Sequence, residues 1–522
     1  MWRRVISGKV GKKLCNGILL SGLAVSPLLF SDYSSGSTLP LNSYKPPTYN
    51  DPGFVLKEIK KLGIEVSATT EELARHSDSW FSTDHPLPGE EPAAIVFPTS
   101  TEEVSKVLKL CHENQVPIVP FTGGTSLEGH FINTKKSITI DLSRMDQVIE
   151  LHKDDLDIVV QPGVGWEDLR TYLDDYGLMF GPDPGPGACI GGMAATSCSG
   201  TNAARYGTMK ENVINLTVVL ADGTIVKTRR RPRKSAAGYN LTGLIIGSEG
   251  TLGIVTEITL KLHVKPKWES VVLISFPNLK HAAGAVTQFI QTGLILNAIE
   301  LLDSQMMKFV NDSGETESKY EELDTLLIKV GGSSNEAVDL TINEVKNIAH
   351  GNNATTFKFA ATEEEKFQLW NARKTALWST IAYGKKHIDP NIQIWSTDVA
   401  VPISSFVESL EKTRLEIKES GLTSSIVGHA GDGNYHALIL FKEEERALAT
   451  ELVARMVERA LDMDGTVSGE HGIGIGKKEF LVNEVGQNAV DLMRRLKFAV
   501  DPNGILNPDK VFKIDPINDR SV

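Results

Sequence analysis

Apolar and polar positions along this chain alternate between two periods. The continuous apolar run Ala93 to Phe97 stops at Pro98, as a short buried strand does, and Ser100 followed by Glu103 then signals the start of a helix. Val104, Val107, Leu108 and Cys111 give that helix one apolar face, and a second strand, Val116 to Pro120, completes a βαβ unit. Asn215 to Leu220 and Thr224 to Thr228 flank Asp222-Gly223 and predict a hairpin. After Gly247-Ser-Glu-Gly-Thr-Leu-Gly253, the residues Ile254, Ile258, Leu260, Leu262 and Val264 fall mostly on one face of a further strand. From about 268 to 420, helical and strand patterns alternate, including strands at Thr325 to Val330 and about Val399, and read as an antiparallel sheet with helices.

Composition bounds what this pattern builds. The 522 residues are 41% hydrophobic and carry 54 Lys plus Arg against 66 Asp plus Glu, a net −12, so the chain reads as globular and its acidity argues against nucleic acid as a partner. The imbalance is uneven. Arg3, Arg4, Lys9, Lys12 and Lys13 precede the first acid, Asp32, so removing the first 30 residues leaves −17. A basic, acid-free start reads as a mitochondrial presequence, with a secretory signal as the alternative. The uncharged stretch Leu14 to Ser31 would span about 27 Å as a helix, a marginal membrane anchor interrupted by Gly17, Gly22 and Pro27. Cys15, Cys111, Cys189 and Cys198 show no paired spacing and read as small hydrophobes rather than disulfides or a thiolate metal site. Lys227 to Lys234, with six basic residues in eight, reads as a solvated loop, with anionic lipid as the other reading.

Three segments carry candidate chemistry. The second strand opens into Phe121-Thr-Gly-Gly-Thr-Ser-Leu-Glu-Gly-His130, where glycines let successive backbone N–H groups form an anion nest suited to a pyrophosphate, without the GxGxxG spacing of the classical dinucleotide fold. Gly181 to Tyr206 is dominated by small residues and offers backbone and hydroxyl donors to a large planar or phosphate-bearing ligand. In Ile426-Val-Gly-His429-Ala-Gly-Asp-Gly-Asn-Tyr-His436, a two-residue turn at Asp432-Gly433 would set His429 directly across from His436, about 5 Å apart at Cβ. With Glu470 in Gly469-Glu-His-Gly472 they would make a His2Glu site with an open position, suited to Zn2+ or Mn2+. Asn434 beside the turn is a candidate cofactor or substrate contact, or a turn former.

In order, PFTGGTSLEGH, GGMAATSCSGTNAARYGTMKENV and SAAGYNLTGLIIGSEGTLGIVTEITLKL resemble the FAD domain of the vanillyl-alcohol-oxidase type, specifically the D-lactate and D-2-hydroxyglutarate dehydrogenases. The resemblance spans about residues 90 to 512. It implies an α+β protein: a PCMH-type FAD-binding domain of two α/β subdomains (49–267), an antiparallel-sheet substrate or cap domain (268–425), and a C-terminal segment (426–522) completing the FAD site, behind a leader and linker (1–48). It also implies that Thr122, Gly123, Gly124, Thr125, Ser126 and Leu127 hold the FAD pyrophosphate. Gly191, Gly192, Met193, Ser199, Gly200, Asn202 and Tyr206 would line the cofactor, and Gly250, Gly253 and Ile254 its adenosine end. Covalent relatives carry His directly after the Gly-Gly pair; Thr125 stands there in this chain, so FAD is expected to be non-covalent.

By the same resemblance, His429, His436 and Glu470 are metal ligands, His471 is the catalytic base, and Arg373 binds the substrate carboxylate. The chemistry agrees: oxidising a 2-hydroxy acid needs the hydroxyl proton removed as the C2 hydride leaves. The hydroxyglutarate branch has a Thr four residues after this arginine and a Lys before the following Tyr-Asp; this chain has Leu377 and Ser396. A monocarboxylic substrate such as D-lactate is therefore expected, with cytochrome c as electron acceptor, which the acidic body would steer if the acceptor is basic. The alternatives are a D-2-hydroxyglutarate dehydrogenase passing electrons to an electron-transfer flavoprotein, and a non-catalytic flavin- or metal-binding protein. A mitochondrial location at the inner membrane or intermembrane space is expected, with the matrix as the alternative.

Overall fold

The computed structural model describes residues 46–79 and 82–515. The basic leader and the Leu14–Ser31 stretch lie outside the described residues, and no helix among the described residues is long and apolar enough to cross a membrane.

Three sheets organise the chain. In the first, β1 (Glu65–Ser67), β2 (Ala94–Phe97), β3 (Ile118–Phe121) and β4 (Ile138–Asp141) lie in the order β1-β2-β4-β3, with β2, β4 and β3 parallel. The helix Thr101–Glu113 makes the crossover, as the apolar spacing predicts. Ser100 accepts from the Glu103 N–H at 3.2 Å, but the Glu103 carboxylate caps Thr99 instead of Ser100, so only half of the expected capping box forms. Val104, Val107, Leu108 and Cys111 pack on Ile118, Ile138 and Ile140 together with Ile505 and Leu506 from the far end of the sequence. That return is hydrogen-bonded: the N–H of Ile118 donates to Ile505 O at 2.8 Å, and the N–H of Asn507 to Ile118 O at 2.7 Å.

The second sheet is antiparallel: β5 (Val148–His152), β6 (Asp157–Val160), β8 (Val213–Val219), β9 (Ile225–Lys227) and β10 (Ile254–Lys261) lie in the order β5-β6-β10-β8-β9. A separate short pair joins β7 (Leu178–Met179) to β11 (His263–Val264). The β8–β9 hairpin turns at Asp222-Gly223 as expected, with Gly223 at φ +87°. The basic segment beyond β9 is exposed and partly tied down, Arg231 pairing with Asp155 and Asp157 at 2.8 Å.

The third sheet has eight strands. β12 (Trp268–Phe276), β13 (Ala298–Leu302), β14 (Asp324–Gly332), β15 (Thr356–Phe359), β16 (Gln393–Ser396), β18 (Thr423–His429) and β19 (Asn434–Phe441) run β15-β12-β14-β13-β18-β19-β16, and β17 (Val399–Ala400) pairs the start of β19. Its central strands β12, β13, β14, β18 and β19 are buried over most of their length because helices cover both faces. Helices Leu279–Gln291, Asn335–Gly351, Ile403–Ser420 and Arg446–Asp462 pack on one face, while Ser304–Ser313, Glu363–Lys374 and Ala376–His387 pack on the other. The boundary drawn from the sequence at 425/426 falls inside β18, which is hydrogen-bonded between β13 and β19. Only after that sheet is complete does the chain cross back to the first one.

Candidate functional site

Between the first two sheets and the large sheet lies a cavity of about 630 Å³. One wall is the loop after β3. Thr122 through Leu127 all line it, and among the described residues no carbonyl receives their backbone N–H groups, which leaves those donors for a ligand. Glycine is needed here on steric grounds: a Cβ on Gly123 would stand 2.5 Å from the Gly187 carbonyl oxygen, and one on Gly191 would stand 2.4 Å from Pro162. Gly191, Gly192, Met193, Gly200, Gly250, Gly253 and Ile254 also line the cavity. A cavity of this size walled by backbone donors and small residues fits FAD.

Ser199, Asn202 and Tyr206 lie outside this lining. After the helix Ile190–Thr196 the chain turns through Ser197 at φ 54° and folds back on itself. The Asn202 N–H then donates to Asp183 at 2.9 Å, and the Tyr206 ring packs on His263 with centroids 4.7 Å apart. Of the cysteines, Cys111 is buried as expected, whereas Cys189 and Cys198 are half-buried in the cavity wall, and burial pushes the Cys189 thiol up to about 11.

His429, Glu470, His471 and Arg373 line the same cavity from the side of the large sheet. The expected two-residue turn does not form. Val427, not His429, pairs with His436, because the chain makes a 3-10 turn over Ala430–Asp432 and closes at Gly433 in the left-handed region. There the strands diverge: His429 pairs with Glu300 on β13, and Asn434 with Ala400 on β17. A shift of two residues preserves the face of each side chain, so both histidines still point the same way. Their ring centroids are 5.6 Å apart.

The Nε2 atoms of His429 and His436 lie 3.1 and 3.2 Å from one oxygen of Glu470, and the other Glu470 oxygen is buried with no hydrogen-bond partner among the described residues. The Nδ1 side of each ring is occupied, by Glu300 at 2.8 Å for His429 and by the Thr397 carbonyl at 2.9 Å for His436. Nδ1 of each ring is engaged outward, so Nε2 is the nitrogen turned inward towards Glu470, the arrangement that metal-ligating histidines adopt. Burial alone would raise Glu470, but the adjacent His429 and His436 hold it well below the usual carboxylate range; burial opposes a charged His429, yet Glu300 and Glu470 hold it well above the usual histidine value. Glu128, Glu249, Glu300, Asp398 and Glu470 crowd the site, while Arg373 and Lys477 are the fixed cations paired among them. An orphaned carboxylate oxygen, two inward imidazole nitrogens and surplus negative charge fit a divalent cation.

His471 stacks on His436, with centroids 5.1 Å apart and planes 9° from parallel, and its Nδ1 lies 3.5 Å from Glu128. Its loop is held by Asp398, whose Oδ2 accepts the N–H groups of Glu470 at 3.0 Å and His471 at 2.8 Å, the Ser468 hydroxyl at 2.8 Å, and Lys477 at 3.3 Å. Burial opposes that charge, but Lys477 and the two histidines keep Asp398 well below the ordinary range. Glu249, in the left-handed region at φ 54°, accepts from the N–H groups of Ile473 at 2.6 Å and Gly474 at 2.8 Å and so ties the histidine loop to the first half of the chain. Asn434 does not line the cavity: its amide donates to Asp398 at 2.8 Å and Val399 O at 3.0 Å and supports the loop from behind.

Glu300, Asp398 and Lys477 lie in no motif quoted from the sequence, and Glu128 and Glu249, although inside two of the glycine motifs, carried no assigned role. The available signal was a charge inside an apolar strand, as in Ala298-Ile-Glu-Leu-Leu302, where such a residue is rare unless paired. Leu377 lines the cavity and Ser396 does not; Lys329, Lys374 and Arg170 line it as well.

Comparison with known proteins gives this arrangement a lineage. Residues 92–229 match the FAD binding domain family, and residues 265–511 match the family of FAD linked oxidases, C-terminal domain. The chain is 53% identical over 493 residues to the mitochondrial D-lactate dehydrogenase (cytochrome) 1 of Saccharomyces cerevisiae, covering 92% of this chain and 84% of that one. It is 46% identical to the mitochondrial D-lactate dehydrogenase (cytochrome) of Arabidopsis thaliana, covering 80% and 73%. Among solved structures, 4-ethylphenol oxidase from Gulosibacter chungangensis superposes with a TM-score of 0.71 at 18% identity, covering 90% of this chain and 99% of that one. p-Cresol methylhydroxylase gives 0.69 at 15%, covering 88% and 97%. The last two bear on the fold alone.

Proposed function

Because the chain belongs to the FAD-linked oxidases, in the branch of the mitochondrial D-lactate dehydrogenases, we propose that it oxidises D-lactate to pyruvate and passes the electrons to cytochrome c. The observation that carries this reading is that His429, Glu470, His471 and Arg373 line one cavity with the Thr122–Leu127 loop. When bound, FAD supplies the hydride acceptor at N5, and a divalent ion held by His429, His436 and Glu470 supplies a Lewis acid that lowers the pKa of the substrate hydroxyl. Arg373 is turned so that Glu300 takes its Nε at 2.6 Å, which leaves the Nη atoms for the lactate carboxylate. His471 removes the hydroxyl proton as the C2 hydride departs, with the Glu128 carboxylate 3.5 Å from its Nδ1. Thr125 stands where a covalent link would need histidine, which supports non-covalent FAD.

The mitochondrial names of the relatives support a mitochondrial location, for which the inner membrane or intermembrane space is proposed with the matrix as the alternative, and cytochrome in those same names supports the acceptor. A second reading, oxidation of a dicarboxylic D-2-hydroxy acid such as D-2-hydroxyglutarate with transfer to an electron-transfer flavoprotein, draws on Lys329, Lys374 and Arg170 as partners for a distal carboxylate. Anaerobic flavin bleaching across D- and L-hydroxy acids, before and after chelation, separates them. Bleaching by D-lactate that chelation abolishes is expected; faster bleaching by D-2-hydroxyglutarate would move the chain to the second reading. No bleaching by any hydroxy acid would leave a flavin- and metal-binding protein without catalysis.

A further inference from the structure

Glu300 sits at the centre of β13, where all five residues are buried, directly across from His429 on β18 and fully shielded from solvent. A carboxylate in such a place costs stability unless both oxygens are engaged. Both are, and by groups with different tasks: Oε1 lies 2.8 Å from His429 Nδ1, and Oε2 accepts from Arg373 Nε at 2.6 Å. His436 is oriented by a different device, the uncharged backbone carbonyl of Thr397, and among the described residues Thr397 makes no hydrogen bond to Arg373. Only the His429 arm is therefore mechanically tied to Arg373.

We infer that Glu300 is a positioning residue that fixes the metal-side histidine and the substrate-binding arginine to one rigid carboxylate, so that the two arms hold a common geometry. The inference rests on the proposed roles of His429 and Arg373. A charge-assisted hydrogen bond on each oxygen sets the plane of the imidazole and the direction of the guanidinium together. Withdrawing the carboxylate should disturb both arms at once, including the one that no metal touches.

The test uses the full-length, FAD-loaded chain and its Glu300→Gln and Glu300→Asp variants, with the flavin absorption spectrum reporting that each is folded. Mn2+ affinity is measured by competition with a chelator in the absence of substrate, and KM and kcat for D-lactate are measured at saturating Mn2+ with an artificial acceptor. Glu300→Gln is expected to weaken Mn2+ binding about 10- to 100-fold. It should also raise KM about tenfold, as loss of one charge-assisted contact to the arginine implies. Glu300→Asp keeps the charge but shortens the reach, so it tests geometry where the Gln variant does not retain flavin; both quantities should move in the same directions. A flavin-loaded variant with wild-type Mn2+ affinity, or with wild-type KM, overturns the bridge. Failure of the wild type itself to bind Mn2+ or to be reduced by D-lactate would instead bring down the functional reading beneath it.

Discussion

The two walls of the cavity are made of different material. Along Thr122–Leu127 and Gly191–Met193 the wall is backbone, with side chains pared back until neighbouring segments touch. On the opposite wall the working groups are side chains, His429, Glu470, His471 and Arg373, with His436 behind them, each held by a buried partner from another strand or loop. A backbone wall tolerates little added volume but has no charge to balance. A side-chain wall tolerates small changes in volume but fails when one charge loses its partner. The two should therefore break in different ways.

The sharpest separation is expected from His471→Ala, which should lower the rate of flavin reduction by D-lactate about 10²- to 10⁴-fold while leaving FAD bound. Stopped-flow bleaching at saturating substrate measures it, and a rate within threefold of wild type would remove the histidine from its role. Chelation, or His436→Ala, comes next: loss of a Lewis acid worth about 3 kcal/mol corresponds to roughly 100-fold in rate, again with the flavin spectrum intact. Were FAD released along with the metal, the two walls would not be independent. On the backbone wall, Gly123→Ala should weaken FAD binding roughly tenfold through overpacking against Gly187, with metal affinity unchanged, as read by flavin fluorescence titration.

The smallest effects concern stability and have opposite signs in the two halves. Asp303, buried beside the large sheet, is raised by burial from 3.8 to about 7. A folded value above the unfolded one favours the fold below pH 4, and that stability is lost as pH rises through 7. Lys510, in the C-terminal segment that returns to the first half, donates its ammonium to the carbonyls of Ile132 at 2.7 Å and Pro508 at 3.3 Å and is lowered by burial from 10.5 to about 7. Its contribution is present above pH 10.5 and is lost as pH falls towards 7. Asp303→Asn should flatten the fall in stability between pH 4 and 7, and Lys510→Met the rise above pH 7, in denaturant titrations across pH. A slope unchanged in either variant would assign it to other groups.

How much of this could be read beforehand follows the same division. The βαβ unit, the Asp222-Gly223 hairpin and the glycine loop were legible because each depends on neighbours within about thirty residues, and Pro, Gly and capping residues mark their ends. The histidines were legible as a set, yet their register was not. An Asp-Gly pair suggests a two-residue turn, but the turn here is set by β17 and β13, which pull the two strands apart beyond Val427 and His436. The presence of His429 and His436 on one face survived that error only because side chains in a strand repeat every two residues.

Sequence by itself determined the chemistry available to this protein: a glycine-built anion cradle, two histidines and a glutamate able to hold a metal, a third histidine and an arginine. The tertiary structure decided their partners. Glu300, Asp398, Glu128 and Glu249 reach the site from separate strands and loops, and the end of the chain returns to hydrogen-bond with β3. Local periodicity records which face a residue takes. It cannot record which distant charge will meet that face, since a buried charge is stabilised only by whatever the completed fold places within hydrogen-bond reach.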